Sequence, residues 1–283
     1  MRKISTLMVS VLCMMMPVGA EAQVPTAFVS KGATDIQAQP HSVTQTNSGA
    51  QWAPIDPMVR SITMDDGLPS NAVRSVVQGS KGYMWFGTDN GLCRFDGYDV
   101  KTYYNPFTTV DQFVSALTAC EEGLLVGCNN GAYLFCNATD RFQKLSDKIT
   151  APVLNFSLDG DQNVWISTNG QGVFRYNRTT HELHQYPMKN IQGKVKSTLV
   201  DANNQVWMLC NHGEASIYHL NKSTDQFEAF PLKGDATMFH GMAMLATPDG
   251  NVYVGTWENG LYKLNADGSA EQLISCLLYT SDA

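Results

Sequence analysis

The chain has 283 residues, 43% of them hydrophobic and 16% charged, and its net charge is −7 with histidine counted as neutral. This acidic balance argues against nucleic acid as a partner, because phosphate binding requires a cationic face. The seven cysteines form no C-x-x-C pair, so their spacing indicates neither a zinc site nor a disulfide framework. We therefore expect no metal and no cofactor.

The first 22 residues have the features of a signal peptide. Arg2 and Lys3 form a short basic head, an apolar stretch follows, and Ala20 and Ala22 supply the small residues that a signal peptidase requires. The apolar stretch is too short to cross a bilayer comfortably. We expect cleavage before Gln23 and export to the periplasm.

Two more terminal segments are expected to lie outside the fold. Residues 23–54 are rich in Gln, Ser, Thr, Ala and Pro and show no apolar periodicity, which predicts a disordered leader. Residues 276–283, with the sequence CLLYTSDA, resemble the translation of a transposon adapter used to prepare DNA libraries. We therefore expect these residues to be a sequencing artefact and the natural chain to continue past Ser275.

A repeat runs through the rest of the chain with spacings of 40, 40, 42 and 46 residues. Its five units are led by Trp85, Leu125, Trp165, Trp207 and Tyr253. In three units a glycine stands two residues after the lead, at Gly87, Gly127 and Gly255. Six or seven residues after the lead comes another glycine, at Gly91, Gly131, Gly172, Gly213 and Gly260. Ten or eleven residues after it comes Phe95, Phe135, Tyr176, Tyr218 or Leu264.

Each unit predicts four strands. In the first unit these are residues 73–77, 83–88, 92–95 and 100–104. Asn90-Gly91 between the second and third strands is a strong hairpin signal, because both positions of that turn require positive φ. Cys128 and Cys136 flank the corresponding hairpin of the second unit, where an oxidising compartment would allow a disulfide.

Four strands recurring at this period match the size of a propeller blade. We therefore predict an all-β fold, a β-propeller with five four-stranded blades over residues 55–275. We expect these blades to be part of a seven-bladed ring. The lead aromatic residues should fill the wedges between neighbouring blades, and residues 59–64 should form a lone outer strand.

The first unit resembles the two-component regulator propeller repeat. The resemblance is carried by GLPSN at residues 67–71, VRSVVQ at 73–78 and GYMWFGTDNGLCRFDGY at 82–98. The third unit keeps Trp165, Thr168, Gly172 and Tyr176, whereas the other units match more loosely. The resemblance is specific for the fold and less specific for a sensor role.

This resemblance implies a function. In that family such repeats form the periplasmic sensor of hybrid two-component histidine kinases, many of which control polysaccharide use. The implied role is therefore signal transduction in response to an oligosaccharide. The implied parent protein is an inner-membrane homodimer with kinase and phosphorelay modules, and the propeller segment itself is not expected to be catalytic.

The residues themselves indicate no catalytic site. Six histidines are scattered over loops and turns and form neither H-x-x-x-H nor H-E-x-x-H, and no G-x-S-x-G motif or phosphate-binding loop occurs. Calcium-loop spacing is also missing. Four acidic residues are interpreted instead as turn formers, namely Asp89, Asp159, Asp201 and Asp249.

Blade geometry narrows where a ligand would bind. In an antiparallel blade, the turn between the second and third strands lies at the same end as the loop to the next blade. Six residues at that end are candidate ligand contacts: Asn169, Gln171, Asn211, His212, Trp257 and Glu258. A sugar ring would stack on Trp257 while the amides hydrogen-bond its hydroxyls. The competing interpretation is that these amides are simply good turn residues.

Two other functions remain open at this point. One is a secreted propeller enzyme, such as a polysaccharide lyase, with its active site on the same face. The other is a propeller that binds a protein partner and no small ligand.

Overall fold

The computed structural model describes residues 27–30, 59–108, 111–188, 194–211, 216–230, 241–257, 259–265 and 268–274. Within these ranges the chain forms β-strands and a short 3-10 helix, Met64–Asp66. No helix in the described ranges is long and apolar enough to cross a membrane. The predicted signal peptide, residues 276–283, His212, Gly213 and Glu258 lie outside the described residues.

The five predicted four-stranded blades are confirmed. Two strands precede them, β1 (Ala27–Ser30) and β2 (Val59–Ile62), which pair antiparallel with each other. Each blade is a meander whose strands are hydrogen-bonded in chain order. Blade 1 consists of β3 (Val73–Gln78), β4 (Met84–Thr88), β5 (Gly91–Phe95) and β6 (Val100–Tyr103), and blade 2 of β7 (Val114–Ala119), β8 (Gly123–Cys128), β9 (Gly131–Cys136) and β10 (Arg141–Lys144). Blade 3 consists of β11 (Val153–Leu158), β12 (Asn163–Thr168), β13 (Gly172–Asn177) and β14 (Leu183–Tyr186), and blade 4 of β15 (Lys194–Val200), β16 (Val206–Asn211), β17 (Ile217–Asn221) and β18 (Gln226–Ala229). Blade 5 consists of β19 (Gly241–Ala246), β20 (Val252–Thr256), β21 (Leu261–Leu264) and β22 (Ala270–Ile274).

Successive strands of a blade are antiparallel, so their connections alternate between two ends. We call one end the turn face. It carries the turns between first and second and between third and fourth strands, which in blade 1 are residues 79–83 and 96–99. The opposite end is the loop face. It carries the turns between second and third strands and the loops between blades, which after β4 and β6 are residues 89–90 and 104–113.

The first strand of each blade contacts the first strand of the next. Leu117 N donates a hydrogen bond to Ser75 Oγ at 3.0 Å, and Thr198 N donates to Asn155 Oδ1 at 3.0 Å. Each first strand also has a register shift near its start, as between Val153 and Asn155. These contacts place the first strands at the centre of the propeller.

Lead aromatic residues fill the wedges between blades, as predicted. Trp85 of blade 1 is 2% exposed, and its ring centroid lies 5.3 Å from that of Phe135 of blade 2. Trp165 of blade 3 is 1% exposed and packs in one cluster with Val195 and Met208 of blade 4. The aromatics later in the repeat are buried at Phe95, Tyr176 and Tyr218, whereas the lead residues Trp207 and Tyr253 are half-buried.

Small residues face large ones across the joints between blades. A Cβ on Gly127 would lie 2.8 Å from Val153 Cγ1 of the next blade, so a larger residue does not fit there without movement. In blade 4 Leu209 occupies the glycine position. Gly241 then opposes it, where the earlier blades have valine, and a Cβ on Gly241 would lie 2.5 Å from Leu209 Cδ1. The departure of Leu209 from the repeat motif is therefore compensated across the joint.

The turn between second and third strands explains a further part of the motif. Gly172 has φ +82°, and a Cβ at this position would collide with the carbonyl oxygen of Tyr186. Thr168 Oγ1 donates to Gly172 O at 2.6 Å and closes the turn. The same threonine–glycine hydrogen bond recurs in blades 1 and 5.

The chain that precedes blade 1 covers the face of that sheet opposite to the one on which Trp85 packs against blade 2. Ile62 is 3% and Leu68 is 4% exposed, and both pack in a cluster with Phe86 and Phe95. The prediction of a lone strand at residues 59–64 is wrong, because β2 forms antiparallel hydrogen bonds with β1. Strand β1 belongs to the segment predicted as a disordered leader, and the rest of that segment lies outside the described residues.

Candidate ligand-binding face

The predicted ligand contacts that the structure describes all lie on the loop face. Trp257 follows the second strand of blade 5 and is 46% exposed. Asn169 occupies the corresponding position of blade 3 and is exposed, while its backbone N donates to Pro152 O at 2.8 Å. Asn211 ends the second strand of blade 4, and its buried Oδ1 has no hydrogen-bond partner among the described residues. These three side chains stand at equivalent positions of different blades.

Gln171 shares this face, but its amide is committed to holding a loop. Its Oε1 accepts hydrogen bonds from Thr150 N at 2.9 Å and Ala151 N at 2.8 Å, and its Nε2 donates to Lys148 O at 3.2 Å. These bonds tie the blade 3 turn to the loop that leaves blade 2. Gln171 is thus a structural turn residue, as the competing interpretation of the amides predicts.

Two exposed aromatic residues on the loop face were missed by the sequence analysis. Tyr104 is 57% and Phe107 is 51% exposed, and both lie in the loop between blades 1 and 2. The Phe107 ring stacks on Tyr133 with centroids 5.5 Å apart and an interplanar angle of 23°. The available signal was their position in a loop between repeat units, where no blade face can cover a large apolar side chain.

Acidic residues of the turn face hold the fold, as predicted for Asp159 and Asp201. Asp159 accepts from the backbone N of Asp161 at 2.8 Å and from the indole Nε1 of Trp165 at 2.8 Å. Asp201 repeats the arrangement and accepts from Trp207 Nε1 at 2.9 Å. Trp165 and Trp207 are therefore anchored at the turn face by carboxylates of their own blades.

Of the other two acidic residues interpreted as turn formers, Asp249 fits that interpretation and Asp89 does not. Asp249 accepts from the side chains of Thr247 and Asn251 within its turn. The prediction that Asp89 is a turn former is wrong, because its carboxylate pairs with the Arg74 guanidinium at 2.6 Å. Asp89 stands directly after β4 on the loop face, where Arg74 of the first strand can reach it.

An ion pair joins blades 3 and 4. Arg175 contacts the Asp225 carboxylate through both terminal nitrogens, at 3.0 and 3.2 Å, and Tyr186 Oη donates to Asp225 Oδ1 at 2.7 Å. Burial acts to raise the pKa of Asp225, but the Tyr186 hydroxyl and the Arg175 charge outweigh it and hold that pKa below its ordinary value. Asp225 therefore stays ionised and links the two blades.

Two clefts among the described residues lie on the turn face. One, of about 530 Å³, is lined by Asn163, Arg175, Asn177, Glu182, Leu183 and His184 of blade 3. The other, of about 480 Å³, is formed by the turns that follow the first strands of blades 1, 2 and 3 and includes Cys120 and Arg178. Neither cleft includes a predicted ligand contact. No group of three metal-ligating side chains occurs among the described residues.

The described cysteines are free thiols, and the disulfide considered for Cys128 and Cys136 does not form. Cys128 pairs with Gly131 and Cys136 with Gly123, so the two thiols stand at opposite ends of the β8–β9 hairpin. Burial raises the pKa of Cys128 to about 12 and that of Cys93 and Cys120 to about 11. These thiols remain protonated at neutral pH and serve as small apolar residues.

Solved structures share this architecture. The extracellular domain of BT3049 from B. thetaiotaomicron, described as a hybrid two-component system, has a TM-score of 0.64 and 18% identity over 76% of this chain and 32% of that one. The corresponding domain of BT4673 has a TM-score of 0.62 and 20% identity over 72% of this chain and 28% of that one. The chain thus spans a third or less of these two domains.

A propeller enzyme is similar at the same level. Virginiamycin B lyase from Staphylococcus aureus has a TM-score of 0.59 and 16% identity over 72% of this chain and 71% of that one. At these identities the likeness shows the propeller fold. No curated protein matches the sequence.

One stretch of the chain matches a family model. Residues 67–90 match the model described as the two-component regulator propeller. They run from Gly67 before blade 1 through the turn between β4 and β5, which is the stretch where the sequence resemblance is most complete. The repeat predicted from the sequence is therefore confirmed in the first unit: the chain carries a two-component regulator propeller repeat at residues 67–90.

Proposed function

We propose that the chain is the ligand-sensing propeller of a periplasmic hybrid two-component histidine kinase, and that its ligand is an oligosaccharide. The family repeat and the likeness to extracellular domains of hybrid two-component systems support the sensor role. A homodimeric parent protein anchored in the inner membrane, with kinase and phosphorelay modules that regulate polysaccharide use, belongs to the same proposal.

The observation that carries the oligosaccharide is the exposed indole of Trp257. It stands at a turn position where the other described blades have Asp or Asn, and nearly half of its surface is open to solvent. An exposed aromatic face and an exposed amide at the same end of the propeller suit a pyranose, because the C–H face of the sugar stacks on the ring while the amide hydrogen-bonds the hydroxyls. The Asn169 side chain on the loop face is exposed and can make such a bond, whereas Oδ1 of Asn211 is buried.

Signalling follows from binding across several blades. Contacts from Trp257 in blade 5 and Asn169 in blade 3 to one ligand would favour a single arrangement of the blades. A ligand shifts a two-state equilibrium only by its difference in affinity for the two states. Contacts distributed over several blades supply such a difference, because rearrangement of the blades changes their spacing.

Calorimetry with a panel of plant and host oligosaccharides tests the proposal, together with chromatography of the same mixtures after long incubation. We expect binding of at least one oligosaccharide without shortened products. The absence of binding across the panel would refute the sugar ligand and favour a propeller that binds a protein partner.

A secreted propeller enzyme is the second candidate. The likeness to virginiamycin B lyase, which extends over 71% of that chain, is the observation that favours it. No catalytic motif in the sequence supports this alternative. Shortened oligosaccharides in the chromatography would establish it in place of the sensor.

A further inference from the structure

The loop between blades 1 and 2 holds an exposed aromatic ring in a fixed position. One face of the Phe107 ring lies against Tyr133, which is fully buried, and half of the Phe107 surface remains exposed. Tyr133 is itself oriented by a hydrogen bond from its hydroxyl to Asn130 Oδ1 at 3.0 Å. The outward face of Phe107 is thus a flat apolar surface on a rigid base.

Internal hydrogen bonds keep this loop in place. Asn105 is only 3% exposed, and its Oδ1 accepts from Phe107 N at 2.9 Å. Gln112 accepts from Asn105 N at 2.6 Å and donates to Thr108 O at 2.8 Å. Asn105 Nδ2 also donates to the buried Cys128 Sγ of blade 2 at 3.7 Å. These hydrogen bonds offset the cost of burying the polar side chain of Asn105. Residues that are ordered before binding lose less conformational entropy when a ligand binds.

Two asparagines of the turn between β8 and β9, next to the Tyr133 strand, have unused hydrogen-bonding capacity. Asn130 uses its Oδ1 for Tyr133, while its Nδ2 donates no hydrogen bond within the described part of the chain. Asn129 donates through Nδ2 to Asp111 at 2.7 Å, and its Oδ1 accepts no hydrogen bond there. One donor and one acceptor therefore stand on the turn that adjoins Tyr133, the base of the Phe107 stack, as recognition of vicinal sugar hydroxyls requires.

We propose that Phe107, with Asn129 and Asn130, forms a pyranose-binding subsite on the loop face, separate from the one that Trp257 provides. The inference rests on the proposed function, that the chain binds an oligosaccharide. The subsite takes a neutral sugar, because the Asp111 carboxylate beside Asn129 disfavours an anionic one.

The test compares two apolar substitutions, of which only one keeps an aromatic ring. Phe107→Trp keeps a stacking face, whereas Phe107→Leu keeps an apolar cover over Tyr133 without one. Binding of maltohexaose, cellohexaose, xylohexaose and mannohexaose is measured by calorimetry for each variant. We expect the Leu variant to lose roughly tenfold in affinity for whichever of these binds, and the Trp variant to retain it.

Two more variants complete the design. Asn130→Asp keeps the acceptor for Tyr133 but removes the donor, so it should also weaken binding. Tyr98→Leu removes an aromatic residue that is 78% exposed on the turn face and should leave binding unchanged. If the wild-type chain binds a hexasaccharide and Phe107→Leu binds it equally well, the subsite is refuted while the proposed function stands. If the wild-type chain binds none of them, both are refuted.

Discussion

On the turn face, charged side chains bridge neighbouring blades, whereas on the loop face aromatic side chains stand open to solvent. Three ion pairs cross the first three joints: Lys101–Asp140 at 2.8 Å, Glu122–Arg178 at 3.0 Å and Arg175–Asp225 at 3.0 Å. In each pair the carboxylate belongs to a turn-face connection. The loop face instead exposes about half of Tyr104, Phe107 and Trp257.

This difference indicates that the two ends of a blade serve different purposes. The charged residues of the turn face stabilise the fold, and the exposed aromatic residues of the loop face are available for binding. The charged side chains that cross the blade joints on the turn face already have partners within the protein, so their loss should reduce stability. The exposed rings of the loop face have partners on at most one side, so their loss should reduce binding. The following predictions test this separation, in order of decreasing effect on stability.

Replacement of Trp165 by alanine should have the largest effect. Because Trp165 is fully buried between blades 3 and 4 and bonded to Asp159, its loss leaves a cavity and should cost about 3–5 kcal/mol of unfolding free energy. Denaturant-induced unfolding measures this cost, and Trp257→Ala on the loop face is the matched control. A cost below about 1 kcal/mol would mean that the blade joint does not depend on the indole.

A steric test concerns the packing between blades 4 and 5. Gly241→Val should destabilise the chain by roughly 1–3 kcal/mol, because its side chain would collide with Leu209. Combining it with Leu209→Gly restores the glycine–valine match of blades 2 and 3. The double variant should therefore be more stable than the sum of the single effects predicts, and strict additivity in thermal unfolding would contradict the compensation.

Asp225→Asn tests the turn-face ion pairs through pH. At neutral pH it should cost about 1–2 kcal/mol, because Arg175 and Tyr186 lose a charged partner. The folded-state pKa of Asp225 lies below the unfolded value of about 3.9, so its stabilisation is complete above that value and disappears as pH falls through the folded pKa.

The measurement for Asp225 is the difference in unfolding free energy between the wild type and Asp225→Asn from neutral to acidic pH. It should be constant down to about pH 5 and shrink below about pH 4. Asp147→Asn is the matched control, because Asp147 pairs with Lys144 from an almost fully exposed position on the loop face. If this difference in unfolding free energy stays constant at acidic pH, the charge of Asp225 does not stabilise the contact between blades 3 and 4.

The sequence was sufficient to predict the blades because their strands repeat locally. Strand bounds in blade 1 agree within one residue, and Trp85 and Trp165 are buried as their positions predicted. The exchange of Leu209 and Gly241 was not predictable, since the two residues belong to different repeats and meet only when the blades pack. Arg74 and Asp89 belong to one repeat, at the start of β3 and directly after the end of β4, and they were not recognised as a pair because they are 15 residues apart in sequence.

The candidate site was predictable only in part. The position of Trp257 in a hairpin turn indicated its exposure, which the structure confirms. Gln171 was a poor candidate because the loop that its amide holds belongs to the preceding blade and is distant in sequence. Phe107 escaped attention because most aromatic residues serve the core, and only the Tyr133 stack shows which of its faces stays exposed.

The measurement that tests the central claim most directly compares Trp257→Ala with Tyr98→Ala for both affinity and stability. Both residues are exposed aromatics, but Trp257 lies on the loop face and Tyr98 on the turn face. Calorimetry with an oligosaccharide that binds the wild type should show a loss of roughly tenfold in affinity for Trp257→Ala and none for Tyr98→Ala. Unfolding free energies should change by less than about 0.5 kcal/mol in Trp257→Ala. Unchanged affinity in Trp257→Ala, or an equal loss in Tyr98→Ala, would contradict the assignment of binding to the loop face.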